Sequence, residues 1–378
     1  MDFGFSPEQE MLRESVRKLL DAACPASLAR AMIADATARP TALWRSLAEL
    51  GLLGILVPEE HGGQGGGFLD LTVVLEEAGK SLLPGPFLAT TVLGALAITR
   101  AGTAEQCAAL LSPLARGEQV ATLAVGTDHR GGTDPVGTIA QPSADGFRLR
   151  GDLPFVLDAH VADTLVVPAR DASGITLFAL ERATSGITVT EHRTVDMTRR
   201  LASVALDAHV PASTVLGSRG AAAPVIAAVL RHARAALAIE AVGVAQRALD
   251  LSVAYANERQ QFGRPIGSFQ AVKHKCVDML VGIETARSLA YYAAWAVAED
   301  AADADRAVAM AKSYAGDVAT TVTSEAIQVH GGIGFTWEHD IHLYHRRALA
   351  IGATFGSGID HRDAVADALL GPTPSRRA

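Results

Sequence analysis

Two places in the chain carry side chains suited to chemistry. Glu240 is the only polar residue in the run Ala235 to Ala245, AALAIEAVGVA. No Lys, Arg or His stands three or four residues away on the same helix, the neighbours being Ala236, Leu237, Gly243 and Val244. A carboxylate left among apolar groups has its charged form disfavoured, which raises its pKa toward the range a general base requires. The competing reading is a structural pair with an Arg or Lys from another helix. Arg259 is the second place: it ends the same helical pattern, where a cation suits the dipole and a guanidinium fork can grip a phosphate bidentately. On local grounds it can equally be a plain C-terminal capping Arg.

The element that must carry both is a long helix. Val225 to Ala256 has apolar residues at helical spacing and no Pro, and Gly263 and Pro265 then break it. Upstream, Ser6-Pro7-Glu8-Gln9 is a good helix start, with helical patterns to about Ala38 and from Thr41 to Leu50. Leu69 to Gly79 and Pro86 to Arg100 are also helical. The glycine-dense stretch Pro58 to Phe68, PEEHGGQGGGF, fits no GxGxxG, and the GKS at Gly79 to Ser81 lacks the upstream Gly of a P-loop. It is expected to be a flexible connector.

From about Gln119 the pattern turns to short β-rich runs: Ala121 to Val125, Phe147 to Arg150, Thr164 to Val167, Ile175 to Leu180, Ile187 to Val189 and Ser203 to Leu206. Asp145-Gly146 marks a hairpin. Glu284 to Asp300 and Arg306 to Val329 are helices of a bundle, and another begins near Trp337. Glu338, His339, His342 and His345 suggest a metal at first sight, but histidines three apart drift around a helix, unlike those of HExxH, so no metal site is expected.

With 378 residues, 49% of them hydrophobic, the chain can bury a large core and build two or three domains. A net charge of −8 argues against nucleic acid or an anionic membrane as partner. Cys24, Cys107 and Cys276 are odd in number and widely spaced, which predicts neither a disulfide framework nor a CxxC site and fits a reducing cytoplasm. The first residues, MDFGFSPEQEML, lack a charged stretch followed by an apolar run, so an unexported chain is expected.

Two strings, ERQQFGRPIGSFQAVKH (258–274) and QVHGGIGF (328–335), resemble the acyl-CoA dehydrogenase family of flavoproteins, and the resemblance extends weakly over the whole chain. It implies an α+β fold with an N-terminal helical domain (1–117), a middle antiparallel β domain (118–218) and a C-terminal helical bundle (219–378). It also implies FAD as cofactor. Arg259 and Phe262 correspond to the RxxF that contacts the FAD of a neighbouring subunit. Gln261 and Gln270 fall at flavin-contacting positions, and Gln328, Val329, Gly331 and Gly332 form the QxxGG turn where backbone approaches the dinucleotide. Glu240 and Arg259 are nineteen residues apart, about 28 Å of helix at ~1.5 Å per residue. One FAD cannot use both from one chain, so a homo-oligomer, or a hetero-oligomer with a homologous subunit, is expected.

The reaction implied is α,β-dehydrogenation of an acyl-CoA to a 2-enoyl-CoA, with electrons passed to an electron-transferring flavoprotein. It requires a base for the α-proton. The chain departs from the family here: Phe355 stands where the Glu of YEGT is expected, and Ala233 occupies the alternative position. Glu240, two turns beyond Ala233, becomes the candidate base. Arg234 aligns with an Arg near the substrate entrance, and a plain inter-helix role is equally open. Phe155 and Leu157 replace a Trp-x-Thr beside the flavin, and Thr127 to Asp134 matches TEPxAGSD only loosely. The absent Glu leaves two alternatives: a non-catalytic subunit that shares FAD with a catalytic partner, or flavin-dependent oxygen chemistry.

Overall fold

The computed structural model describes residues 4–35, 39–126 and 136–371, so the expectation for Thr127 to Asp134 lies outside the described residues. Contacts divide the chain into two units, Met1–Asp21 with Thr72–Leu82 and Arg234–Ala378, and Ala22–Leu71 with Leu83–Ala233.

Among the described residues, six α-helices precede the β region: α1 (Pro7–Ala23), α2 (Ala26–Ala34), α3 (Thr41–Glu49), α4 (Phe68–Lys80), α5 (Ala95–Ala101) and α6 (Ala104–Ala115). Ser6 and Gln9 exchange the reciprocal cap bonds that the start signal predicts. Thr103 and Gln106 form a second capping box, at α6. The expected helix from Pro86 opens instead as a π-helical stretch, Ala89–Gly94. The glycine-dense connector is not loose: Gln64, Gly65 and Gly66 donate backbone N–H groups to Gly54, Val57 and Ile55. Its glycines therefore serve tight backbone folding.

Among the described residues eight strands follow: β1 (Ala121–Leu123), β2 (Thr138–Pro142), β3 (Gly146–Leu157), β4 (Thr164–Asp171), β5 (Gly174–Glu181), β6 (Ile187–Glu191), β7 (Leu201–Pro211) and β8 (Val215–Leu216). They lie in the order β6-β7-β3-β2-β4-β5-β8, with β1 beside β4. The expected antiparallel sheet is mixed, because β1 and β2 both pair in parallel with β4. The β2–β3 hairpin turns at Asp145-Gly146, closed by Ser143 N–H on the Gly146 carbonyl at 2.9 Å. Six successive residues of β4 are buried, which explains a continuous apolar run where β7 alternates.

The helical bundle comprises α7 (Ala222–Glu258), a short hairpin of β9 (Gln260–Gln261) and β10 (Arg264–Pro265), α8 (Gln270–Ala298), α9 (Ala304–His330), α10 (Ile341–Ala353) and α11 (Gly358–Leu370). The helix expected from Trp337 begins at Ile341, after a 3₁₀ turn at Gly331–Phe335. Where α4 meets α7, a Cβ on Gly79 would stand 2.3 Å from the Glu240 carbonyl oxygen and one on Gly243 2.1 Å from that of Glu76. Only glycine at both positions lets the backbones touch. Beside this crossing the buried Glu77 carboxylate meets Arg17 at 2.9 Å and Lys80 at 2.8 Å, while the Tyr291 hydroxyl donates to Glu76.

No helix among the described residues is long and apolar enough to cross a membrane.

Candidate functional site

Glu240 does face an apolar interior, but it has a counter-ion. Its Oε1 accepts from Nη1 of Arg347, on α10, at 2.6 Å, and both side chains are buried, 3% and 1% exposed. The expectation of a lone carboxylate is thereby corrected. The helix itself offers no cation at three or four residues; tertiary packing brings one from 107 positions away. The arrangement present is the competing reading of Glu240, a buried pair with an Arg from another helix.

The position expected for a base carries Phe355, fully buried and at φ +58°, a strained conformation for a bulky residue. Its turn is gripped from below. Arg234, on α7, donates Nε to the Phe355 carbonyl at 3.0 Å, so its observed contact is to this turn. Burial lowers the Arg234 pKa, with nearby Asp305 opposing. Lys312, on α9, is buried and donates Nζ to the carbonyls of Ile351 at 2.8 Å, Gly352 at 3.4 Å and Gly356 at 3.2 Å. Burial and the Arg234 charge bring its pKa down to about 7. Lys312 has no sequence signal, because it acts on a turn about forty residues away.

The end of α7 meets the second motif string in space. The Tyr255 and His330 rings stack with centroids 4.6 Å apart, and His330 lies 4.5 Å from the His339 ring. Tyr255 is one helical turn before Arg259 and His330 directly precedes Gly331, so this ring ladder joins the end of α7 to the QxxGG turn. Arg259 directly follows α7 and leads into the hairpin, its carbonyl accepting from Ile266 N–H at 2.8 Å. Phe262 and Gly263 form the two-residue tip, with φ of +54° and +76°, as a type I′ turn requires. Phe262 is 90% exposed and nearly perpendicular to the Phe269 ring, whose face carries the Arg264 guanidinium. Arg259, Gln261 and Gln270 are exposed, as are Gln328 and Gly332, while Val329 is buried. Gly331 has φ +64° and ψ −141°, a conformation open to glycine, and a Cβ on Gly331 or Gly332 would meet nothing within 4 Å. Open glycine backbone, exposed amides and a terminal guanidinium suit a dinucleotide's phosphates, and these residues fit FAD.

In the β unit, Phe155 lies at the irregularity between Leu153 and Val156 in the β3–β7 register, 37% exposed and 5.0 Å from the His192 ring. Leu157 is buried, and its carbonyl accepts from Thr122 Oγ1 at 2.9 Å. His192 also lines a cavity of about 270 Å³ with Ile33, Glu191, Arg193, Thr194, Met197 and Arg200. Among the described residues no group of three or more His, Cys, Asp or Glu is placed to hold a metal. Trp337 stacks on His342, and His345 Nδ1 lies 2.9 Å from the Thr323 hydroxyl.

Residues 6–118 match the family model for the acyl-CoA dehydrogenase N-terminal domain and residues 222–370 that for the C-terminal domain. The chain is 37% identical over 346 residues to acyl-CoA dehydrogenase IpdE2 of Mycolicibacterium smegmatis, spanning 91% of this chain and 93% of that protein. Its fold is similar to butyryl-CoA dehydrogenase from Megasphaera elsdenii, with TM-score 0.88 and 30% identity over 98% of this chain and 100% of the other. It is also similar to a chain of the ChsE4-ChsE5 complex from Mycobacterium tuberculosis, with TM-score 0.90 and 30% identity over 99% and 100% of the two chains. Motifs, fold and relatives agree, and the chain belongs to the acyl-CoA dehydrogenase family of FAD-dependent enzymes.

Proposed function

We infer that the chain works in the α,β-dehydrogenation of an acyl-CoA thioester to a 2-enoyl-CoA, as a subunit that helps hold an FAD shared with a neighbouring subunit. FAD, when bound, supplies the hydride acceptor. Arg259, Gln261, Phe262, Gln270, Gln328, Val329, Gly331 and Gly332 would hold it. The observation that carries this reading is the exposed hairpin tip, with Phe262 90% exposed in a strained conformation beside open glycine backbone. An aromatic held at that cost in water gains a purpose once another subunit and its cofactor cover it. Phe335, the last residue of the second motif, and Trp337 just beyond it, 77% and 50% exposed, support the same covering.

A second reading concerns the proton. Removal of the α-hydrogen needs a basic atom near the acyl chain, and this chain has Ala233 and Phe355 at the two expected positions and a guanidinium on Glu240. That favours a hetero-oligomer in which a homologous subunit contributes the carboxylate, and the ChsE4-ChsE5 neighbour is itself a complex of two named chains. Electrons then pass to an electron-transferring flavoprotein.

The test is to purify the chain alone and co-expressed with a homologue that carries Glu at the position of Phe355, then add acyl-CoA thioesters under anaerobic conditions. Flavin retained with the homologue and bleached only in the mixed oligomer supports the reading. Bleaching by the chain alone overturns the hetero-oligomer, and a protein that keeps no flavin in either preparation overturns the cofactor role.

A further inference from the structure

Beneath residues 351–357 three nitrogen-bearing side chains from three helices converge on one turn. Arg234 holds the Phe355 carbonyl, and Lys312 holds those of Ile351, Gly352 and Gly356. The third is His361, on the first turns of α11, 6% exposed. Its ring lies against the turn: a Cβ on Gly356 would stand 2.8 Å from His361 Nε2 and 3.0 Å from Cε1. The Nε2 atom is buried and has no hydrogen-bond partner. The Gly356 backbone acts on the ring in favour of its charged form, but burial and the two neighbouring cations outweigh it.

We propose that Arg234, Lys312 and His361 form an acid-sensitive latch, in which the turn 351–357 and the start of α11 stay docked only while the His361 ring is neutral.

The charges facing the ring support this. Lys312 and Arg234 act on it as positive charges from α9 and α7. Asp360, on its own helix, is engaged by the Ser357 N–H and hydroxyl at the α11 cap, both at 2.7 Å. Asp317, on α9, is paired with Arg362 at 2.6 Å, and Asp305 lies nearer Arg234. Burial first, and then the two cations, bring the His361 pKa from 6.5 to about 4. The sign follows: a depressed histidine supports the docked form fully above pH 6.5 and loses that support as the pH falls toward 4. Between pH 7.5 and 5 the undocking equilibrium should rise about 25-fold from His361 alone. Lys312, whose pKa is also lowered, to about 7, adds a few-fold. The latch concerns the turn that carries Phe355 and holds whether or not this subunit performs chemistry.

The experiment is hydrogen–deuterium exchange of full-length protein from pH 7.5 to 5, corrected for the pH dependence of chemical exchange, on wild type and His361→Gln. Exchange across 354–361 should rise about 25-fold or more in wild type and only a few-fold in the variant, with α8 unchanged in both. An equal rise in the two proteins, a wild-type rise of under about threefold, or parallel exchange in α8 would overturn the latch. Should His361→Gln not fold, an NMR titration of histidine-labelled wild type decides: a His361 pKa near 4 to 5 sustains the proposal, and one at or above 6 overturns it.

Discussion

Replacing Glu240 by Gln keeps its volume and removes its charge, leaving the Arg347 guanidinium, 1% exposed, without the carboxylate now 2.6 Å away. Removing one partner of a buried ion pair costs about 3–5 kcal/mol, because the remaining charge stays desolvated. With an unfolding entropy of ~2.1 cal/mol/K per residue, 4 kcal/mol lowers the melting midpoint by about 5 °C if the 378-residue chain melts cooperatively. Arg347→Met should cost a similar amount. The double variant Glu240→Leu with Arg347→Met should recover most of the loss, since replacing both charges by packed apolar groups is often neutral or stabilising. Thermal and urea unfolding should put the double variant within about 1 kcal/mol of wild type and each single variant about 3–5 kcal/mol below it. A Glu240→Gln variant that melts like wild type but loses anaerobic flavin bleaching would refute the structural assignment and return Glu240 to the chemistry. A double variant no more stable than either single variant would refute the pairing energetics.

Gly243→Ala should lower stability by about 1–3 kcal/mol or more, because its Cβ would meet the Glu76 carbonyl oxygen at 2.1 Å and part α4 from α7. Gly352→Ala, whose Cβ meets nothing within 4 Å, should be neutral or slightly stabilising in denaturant titrations, and equal losses at both positions would contradict the close crossing. Phe262→Ala removes a side chain that is 90% exposed, so unfolding of the dissociated chain should shift by under ~0.5 kcal/mol. As an interface anchor its loss should weaken subunit association about 30-fold, followed by sedimentation and FAD release, and unchanged association would discount it.

Local signals carried much of the architecture. The Ser6–Gln9 cap, the Asp145-Gly146 hairpin, the long helix ending at residue 258 and the helices of the bundle are written in contiguous residues, because turns, caps and helical periodicity depend on neighbours a few positions apart. The break at Gly263 and Pro265 was legible too, although its form, a two-residue hairpin with Phe262 at its tip, was not. β2 carries no such signal because its short TIAQP segment turns Ile139 outward and buries Thr138, the reverse of the usual polarity.

By itself the sequence determined the family motifs, the missing carboxylates at Ala233 and Phe355, and the order of helices and strands. Tertiary structure decided what surrounds each group. Nothing near Glu240 in the chain announces Arg347, and nothing near Phe355 announces the Lys312 and Arg234 that hold its turn. A helix repeats its own spacing but carries no record of which residue another helix will bring against it. Burial and pairing at Glu240, Lys312 and His361 are therefore set by how α7, α9, α10 and α11 pack, and the electrostatics follow from that packing.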